Sequence, residues 1–160
     1  MSRLVTKQYP KLFDKEQADF LFDYCYKNMT WSDGVRSRKT GFTRKACALN
    51  LDEDDVVKEA VLTAITQAMP DKNYVLLGLY LNRYDNGEFY TPAHSHPKQH
   101  QLVISLGATR TLKVGKKDYP LSNGDVIIFG SSTHSVPKEP EVNKCRISIA
   151  TFMIPILAEK

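Results

Sequence analysis

The chain has 160 residues, enough for one domain with a substantial core, and its 42% apolar and 25% charged content is that of a soluble globular protein. No run approaches the roughly 18 apolar residues of a membrane span, and the opening MSRLVTKQYPKLFDKEQ lacks the apolar stretch of a secretory signal. A net charge of +4 is too small to demand a polyanionic partner, while Cys25, Cys47 and Cys145, far apart and in no CxxC pattern, argue against a disulfide framework or zinc ribbon and fit buried thiols in a reducing, cytoplasmic or nuclear compartment.

In chain order, Asp14 followed by Gln17 reads as a capping box, and Ala18, Leu21, Phe22 and Cys25 recur at helical spacing behind it. A helix is therefore expected over residues 15–28. The next stretch is basic: Arg36, Arg38, Lys39, Arg44 and Lys45 occur without an acidic residue between them, near Trp31 and Phe42. Such a segment is either a solvated basic loop or a surface that neutralises phosphates and stacks on bases. A second helix is expected to begin near Asp52, with Val57, Val61, Ala64, Ile65 and Ala68 on its apolar side and Pro70 stopping it.

After Pro70 the texture changes to short segments rich in β-branched and aromatic residues, over 74–84, 101–107, 109–114, 125–129 and 146–154. Turn signals such as Asp85-Asn86-Gly87 and Ser122-Asn123-Gly124 separate several of them. Helices first and strands afterwards describe an α+β fold, and a double-stranded β-helix (jelly roll) of about eight strands with flanking N-terminal helices suits the length. One domain over 1–160, monomeric and away from membranes, is expected.

Three of the four histidines have spacing that suits a metal. In TPAHSHP an extended backbone puts His94 and His96 on one face. His134 is expected in a short loop after the 125–129 strand, so that three ligands from two non-adjacent strands would meet at one rim and leave positions open for substrate and oxygen. His100 is expected on the surface of an edge strand. The alternative is three ordinary structural or solvated histidines, and spacing by itself leaves that open.

The surrounding residues resemble the AlkB-type family of Fe(II)- and 2-oxoglutarate-dependent dioxygenases over nearly the whole chain. The matching pieces are the helix ending in Trp31, the run from Leu81 to Gly87, His94-Ser95-His96, the run from Leu102 to Arg110, the run from Asn123 to Gly130, His134, and Arg146-Ile147-Ser148. The resemblance implies iron on His94 and His134, with His96 where the family has a carboxylate. It implies 2-oxoglutarate held by Asn82, Tyr84 and Arg146, O2 as co-substrate, and hydroxylation or demethylation of DNA or RNA bases. The basic segment, with Trp31, Arg36, Arg38, Lys39, Phe42, Arg44 and Lys45 as substrate-binding residues, falls where the family places its nucleotide-recognition lid, which suits an enzyme that must grip a base outside the stack.

Two positions depart from that pattern. His96 replaces the carboxylate ligand, so a divalent ion held by three neutral imidazoles keeps its full charge, which favours 2-oxoglutarate and opposes oxidation of iron. Phe152 stands where the family has its second arginine. Three imidazoles also suit Zn(II), Ni(II) or Cu(II). Two other readings follow: a degenerate, non-catalytic metal-binding module, or a three-histidine cupin-like dioxygenase acting on a small molecule, with His100 in the place of the cupin glutamate.

Overall fold

The computed structural model describes residues 4–37, 41–71 and 73–156. Eleven strands and two helices follow one another in this part of the chain: β1 (Lys7–Tyr9), α1 (Lys15–Asn28), β2 (Ser32–Ser37), β3 (Gly41–Leu49), α2 (Asp55–Ala68), β4 (Tyr74–Tyr84), β5 (Thr91–His94), β6 (His100–Gly107), β7 (Arg110–Val114), β8 (Lys117–Leu121), β9 (Val126–Phe129), β10 (His134–Val136) and β11 (Arg146–Pro155). Both helices precede the strands from β4 onward, as expected, but β1 comes before α1 and β2 and β3 lie between the helices, which the sequence reading did not anticipate.

The first helix begins as the sequence reads. Asp14 accepts from the Gln17 backbone N–H at 2.8 Å, and Gln17 accepts in turn from the Asp14 N–H at 3.0 Å. The second starts slightly later than expected. Asp54 caps it by accepting from the Val57 N–H, and Pro70 follows its last turn.

The eight strands from β4 to β11 form the jelly roll, passing back and forth between two sheets except at the β7–β8 hairpin, which stays in the smaller one. β9-β6-β11-β4 is the centre of the larger sheet, and β5-β10-β7-β8 is the whole of the smaller one. β1 extends the larger sheet beside β9, and β3 and β2 extend it beside β4. Arg36, Phe42, Arg44 and Lys45 of the basic segment therefore lie on the paired strands β2 and β3, while Arg38 and Lys39 lie outside the described residues.

Each strand of the larger sheet presents alternate residues to two environments. On the outer face Leu81, Ile104, Ile147 and Ile149 pack with Leu21, Val57 and Val61 of the helices. On the inner face Val103, Phe129 and Ala150 meet Leu112, Val136 and Leu121 of the smaller sheet. This explains why β6, β9 and β11 read as nearly continuous apolar runs: both faces are covered. Tight turns close the layers. Gly124 adopts φ +92°, and a Cβ there would meet the Phe13 carbonyl oxygen at 2.2 Å.

Ile149→Ala is expected to destabilise the protein by about 2–5 kcal/mol, the range for a truncated buried aliphatic side chain. A urea-unfolding midpoint within error of the parent would show that the helix-to-sheet layer is not a packed core.

Candidate metal centre and its cavity

β5 and β10 are hydrogen-bonded neighbours, and His134 sits directly opposite His94 in their register. This corrects the sequence expectation twice: the strands are adjacent, and His134 opens a strand instead of lying in a loop. Direct cross-strand partners have Cβ atoms about 5 Å apart, so the register alone brings two imidazoles together. His96 follows two residues after His94. One ligand nitrogen from each of the three rings lies within 4.8 Å of the others, a span that modest side-chain rotation closes onto a single ion.

Hydrogen bonds select the tautomers. His94 Nδ1 lies 2.8 Å from the Pro92 carbonyl oxygen and His134 Nδ1 lies 3.2 Å from that of Ser132. An N–H on Nδ1 satisfies each carbonyl and leaves the Nε2 lone pair available. Burial pushes His134 down to about 4, and burial followed by the neighbouring His94 lowers His96. Both rings are thus neutral at pH 7, the form that binds metals. Phe152 packs edge-on against His96 at 5.0 Å and Phe129 against His134 at 4.9 Å, so apolar rings hold two of the three imidazoles.

A cavity of about 310 Å³ between the sheets contains the triad. Its floor follows from the register of the larger sheet. Ser105, Ser148, Asn82 and Ala46 are successive cross-strand partners, and Arg146 stands opposite Tyr84 one step further on. Arg44, two residues before Ala46, faces the same side. Among the described residues no aspartate or glutamate lines the cavity.

Three interior arginines behave differently. Arg110, 1% exposed, donates to Glu139 and to the carbonyls of Asn86, Phe89 and Pro137, so each nitrogen of its fork has a partner. Arg146, also 1% exposed, donates from Nε to the Ser105 hydroxyl at 2.9 Å, but its buried Nη1 has no partner. Burial lowers the pKa of this guanidinium. Arg44 donates from Nε to Asn82 Oδ1 at 2.6 Å and from Nη1 to the Thr43 hydroxyl. Arg110 and Arg146 flank the Tyr84 ring at 5.4 and 5.3 Å, and the Tyr84 hydroxyl is 2.7 Å from Thr91 Oγ1.

His94, His96, His134, Asn82, Tyr84 and Arg146 are thus brought to one cavity. The substrate-binding candidates are not. Trp31 packs on the helix side of the larger sheet, with Arg83 over its ring at 5.9 Å. Lys45 pairs with Asp85 at 3.0 Å, Phe42 rests edge-on against Phe89, and Arg36 is exposed. Among the described residues of that segment only Arg44 lines the cavity. His100 points to the outer side, against Tyr74, and contributes nothing to the triad.

Sequence reasoning missed Gln101, whose amide nitrogen lies 3.3 Å from His134 Nε2, and gave Ser105 no role. Strand alternation from Val103 would have pointed both inward.

No protein-family model and no curated protein matches the sequence. Solved structures do. A 2OG-Fe(II) oxygenase-family oxidoreductase from Burkholderia pseudomallei is 15% identical with a TM-score of 0.69, covering 93% of this chain and 84% of its own. HygX from Streptomyces hygroscopicus, solved with nickel, 2-oxoglutarate and hygromycin B, is 11% identical with a TM-score of 0.70 over 95% of this chain and 83% of its own. A predicted oxalate decarboxylase from Thermotoga maritima is 15% identical but reaches only 0.54, over 79% of this chain and 94% of its own. At these identities the likeness is one of fold, that of the 2-oxoglutarate oxygenases, and it does not single out the AlkB-type branch.

Replacing Arg110 with Met should cost about 3–5 kcal/mol, because it strands Glu139 and three carbonyls. Arg146→Met, which removes an orphaned donor, should stay within about 1 kcal/mol of the parent in ligand-free protein. Guanidinium unfolding of both variants checks this. Equal losses would mean that Arg146 serves the fold as Arg110 does.

Proposed function

We propose that this chain is a 2-oxoglutarate-dependent oxygenase, with iron(II) held by His94, His96 and His134 and the distal carboxylate of 2-oxoglutarate held by Arg146. The observation that carries the reading is the unpartnered Arg146 Nη1, fully buried in the same cavity as three convergent imidazoles. An unsatisfied buried donor costs about 1–3 kcal/mol and persists where a ligand completes it. A carboxylate is its natural complement, since a guanidinium meets two oxygens in one plane.

Bound there, iron(II) supplies the two-electron oxidation in which O2 hydroxylates a C–H bond while 2-oxoglutarate becomes succinate and CO2. The remaining work belongs to the protein. Nδ1 contacts to Pro92 and Ser132 aim His94 and His134, and the Phe152 ring braces His96. Ser105 fixes the Arg146 guanidinium, and Tyr84, anchored by Thr91, forms the adjoining wall. Asn82 joins Arg44 to the Ser148 hydroxyl beside it. Val103, Leu112, Phe129 and Ala150 keep this space poor in water. Gln101, whose amide occupies the His134 Nε2 lone pair, must swing away when an ion binds.

A nucleic-acid substrate draws its support from the basic segment, which divides here: Arg44 turns inward, Lys45 is paired with Asp85, and Arg36 is exposed. That support therefore reduces to Arg36 with Arg38 and Lys39, the last two outside the described residues. The cupin-like reading gains nothing from His100, which faces Tyr74.

Protein loaded with Fe(II) should release succinate and CO2 from labelled 2-oxoglutarate. Arg146→Gln should raise KM for 2-oxoglutarate at least tenfold, as expected for one lost charge-assisted contact of about 1.5–3 kcal/mol, and His134→Ala should abolish metal uptake measured by elemental analysis. Turnover untouched by Arg146→Gln would favour the cupin-like alternative. An inactive parent that gains activity on His96→Asp would identify a degenerate, metal-binding relative.

A further inference from the structure

We infer that Arg44 is a second anion-binding residue of this cavity and that the molecule oxidised here is a small organic acid whose carboxylate it holds. The inference rests on the oxygenase reading above and adds the substrate class.

Arg44 is only 9% exposed and lies on the inner face of β3. Its two hydrogen bonds use Nε and one N–H of Nη1, which leaves N–H groups on both terminal nitrogens, the edge that meets a carboxylate in a parallel pair. Among the described residues no carboxylate pairs with it, whereas Arg83 and Arg110 each have one. The Asn82 contact holds the guanidinium at a set angle, so it is a fixed donor and not a flexible surface cation.

Charge points the same way. The cavity wall carries two guanidiniums, three imidazoles and no acidic side chain among the described residues. With a divalent ion on neutral ligands, dianionic 2-oxoglutarate offsets only part of the positive charge, and the excess sits in a partly dehydrated space where charge interacts strongly. The carboxylate of an anionic substrate offsets a further unit of it. A carboxylate in the usual metal-ligand position would have reduced that excess, so His96 and Arg44 act together: the first leaves the ion more positive and the second gives a further anion a specific seat.

Arg44 and Arg146 are separated by β4, with Tyr84 standing opposite Arg146. The two guanidiniums thus enter the cavity from different strands, with β4 between them. The cavity, at about 310 Å³, is at the small end of ligand pockets and favours a compact molecule.

The test uses full-length protein loaded with Zn(II), saturated with 2-oxoglutarate, and probed by ligand-observed NMR with two matched pairs: propionate against propionamide, and benzoate against benzamide. In the parent each carboxylate should bind at least threefold more tightly than its amide. Arg44→Gln should bring that ratio to about one, and Arg44→Lys, which keeps the charge without the fork, should retain part of it. A ratio under threefold in the parent, or one that survives Arg44→Gln, overturns the inference. The parent comparison stands even if the glutamine variant fails to fold. Failure of 2-oxoglutarate to bind the Zn(II) protein is seen before any probe is added, and it overturns the co-substrate reading instead.

Discussion

Burying an arginine between two β-sheets is tolerable only when acceptors surround the guanidinium, and the inner face of this jelly roll buries three. Arg110 meets the condition within the protein and ties the 86–89 turn to the segment carrying Pro137 and Glu139. Arg146 does not, and the shortfall is confined to the cavity that also holds the imidazoles. The distinction separates an arginine whose nitrogens all find acceptors within the protein from one left with an unpartnered buried nitrogen. Tyr84 lies between them, its ring against both cations.

The metal triad depends on a different economy of parts. One cross-strand register brings His94 and His134 together, and the next inward position along the chain supplies His96. Two backbone carbonyls direct the Nδ1 protons of His94 and His134, so their Nε2 atoms carry lone pairs, that of His134 meeting the Gln101 amide. Burial keeps His134 and His96 uncharged, which avoids repulsion among three close cations while no ion is bound.

Structural neighbours near 0.7 in TM-score at 9–15% identity show how little of a sequence this architecture requires. Chemistry is grafted onto that scaffold by a few inward positions, so the fold sets expectations while the side chains decide the reaction. Here those side chains make a more positive cavity than a site with one carboxylate ligand would have.

The sequence by itself determined the elements: the Asp14–Gln17 capping box, the amphipathic helices, the apolar strands after Pro70, and the H-x-H pair, because each is encoded by neighbours a few residues apart. Its motif order also named Asn82, Tyr84 and Arg146, all of which line the cavity. Only the tertiary structure decided which strands are partners. Register is set by burial of whole faces across distant segments, and a one-residue slip would send Arg44 outward and Lys45 inward. Local charge counting reads Arg36, Arg44 and Lys45 as one basic surface, whereas strand alternation sends Arg44 into the cavity and Lys45 to Asp85. The same physics moved His134 from an expected loop to a strand facing His94 and placed His100, expected on an edge strand, on the central strand β6.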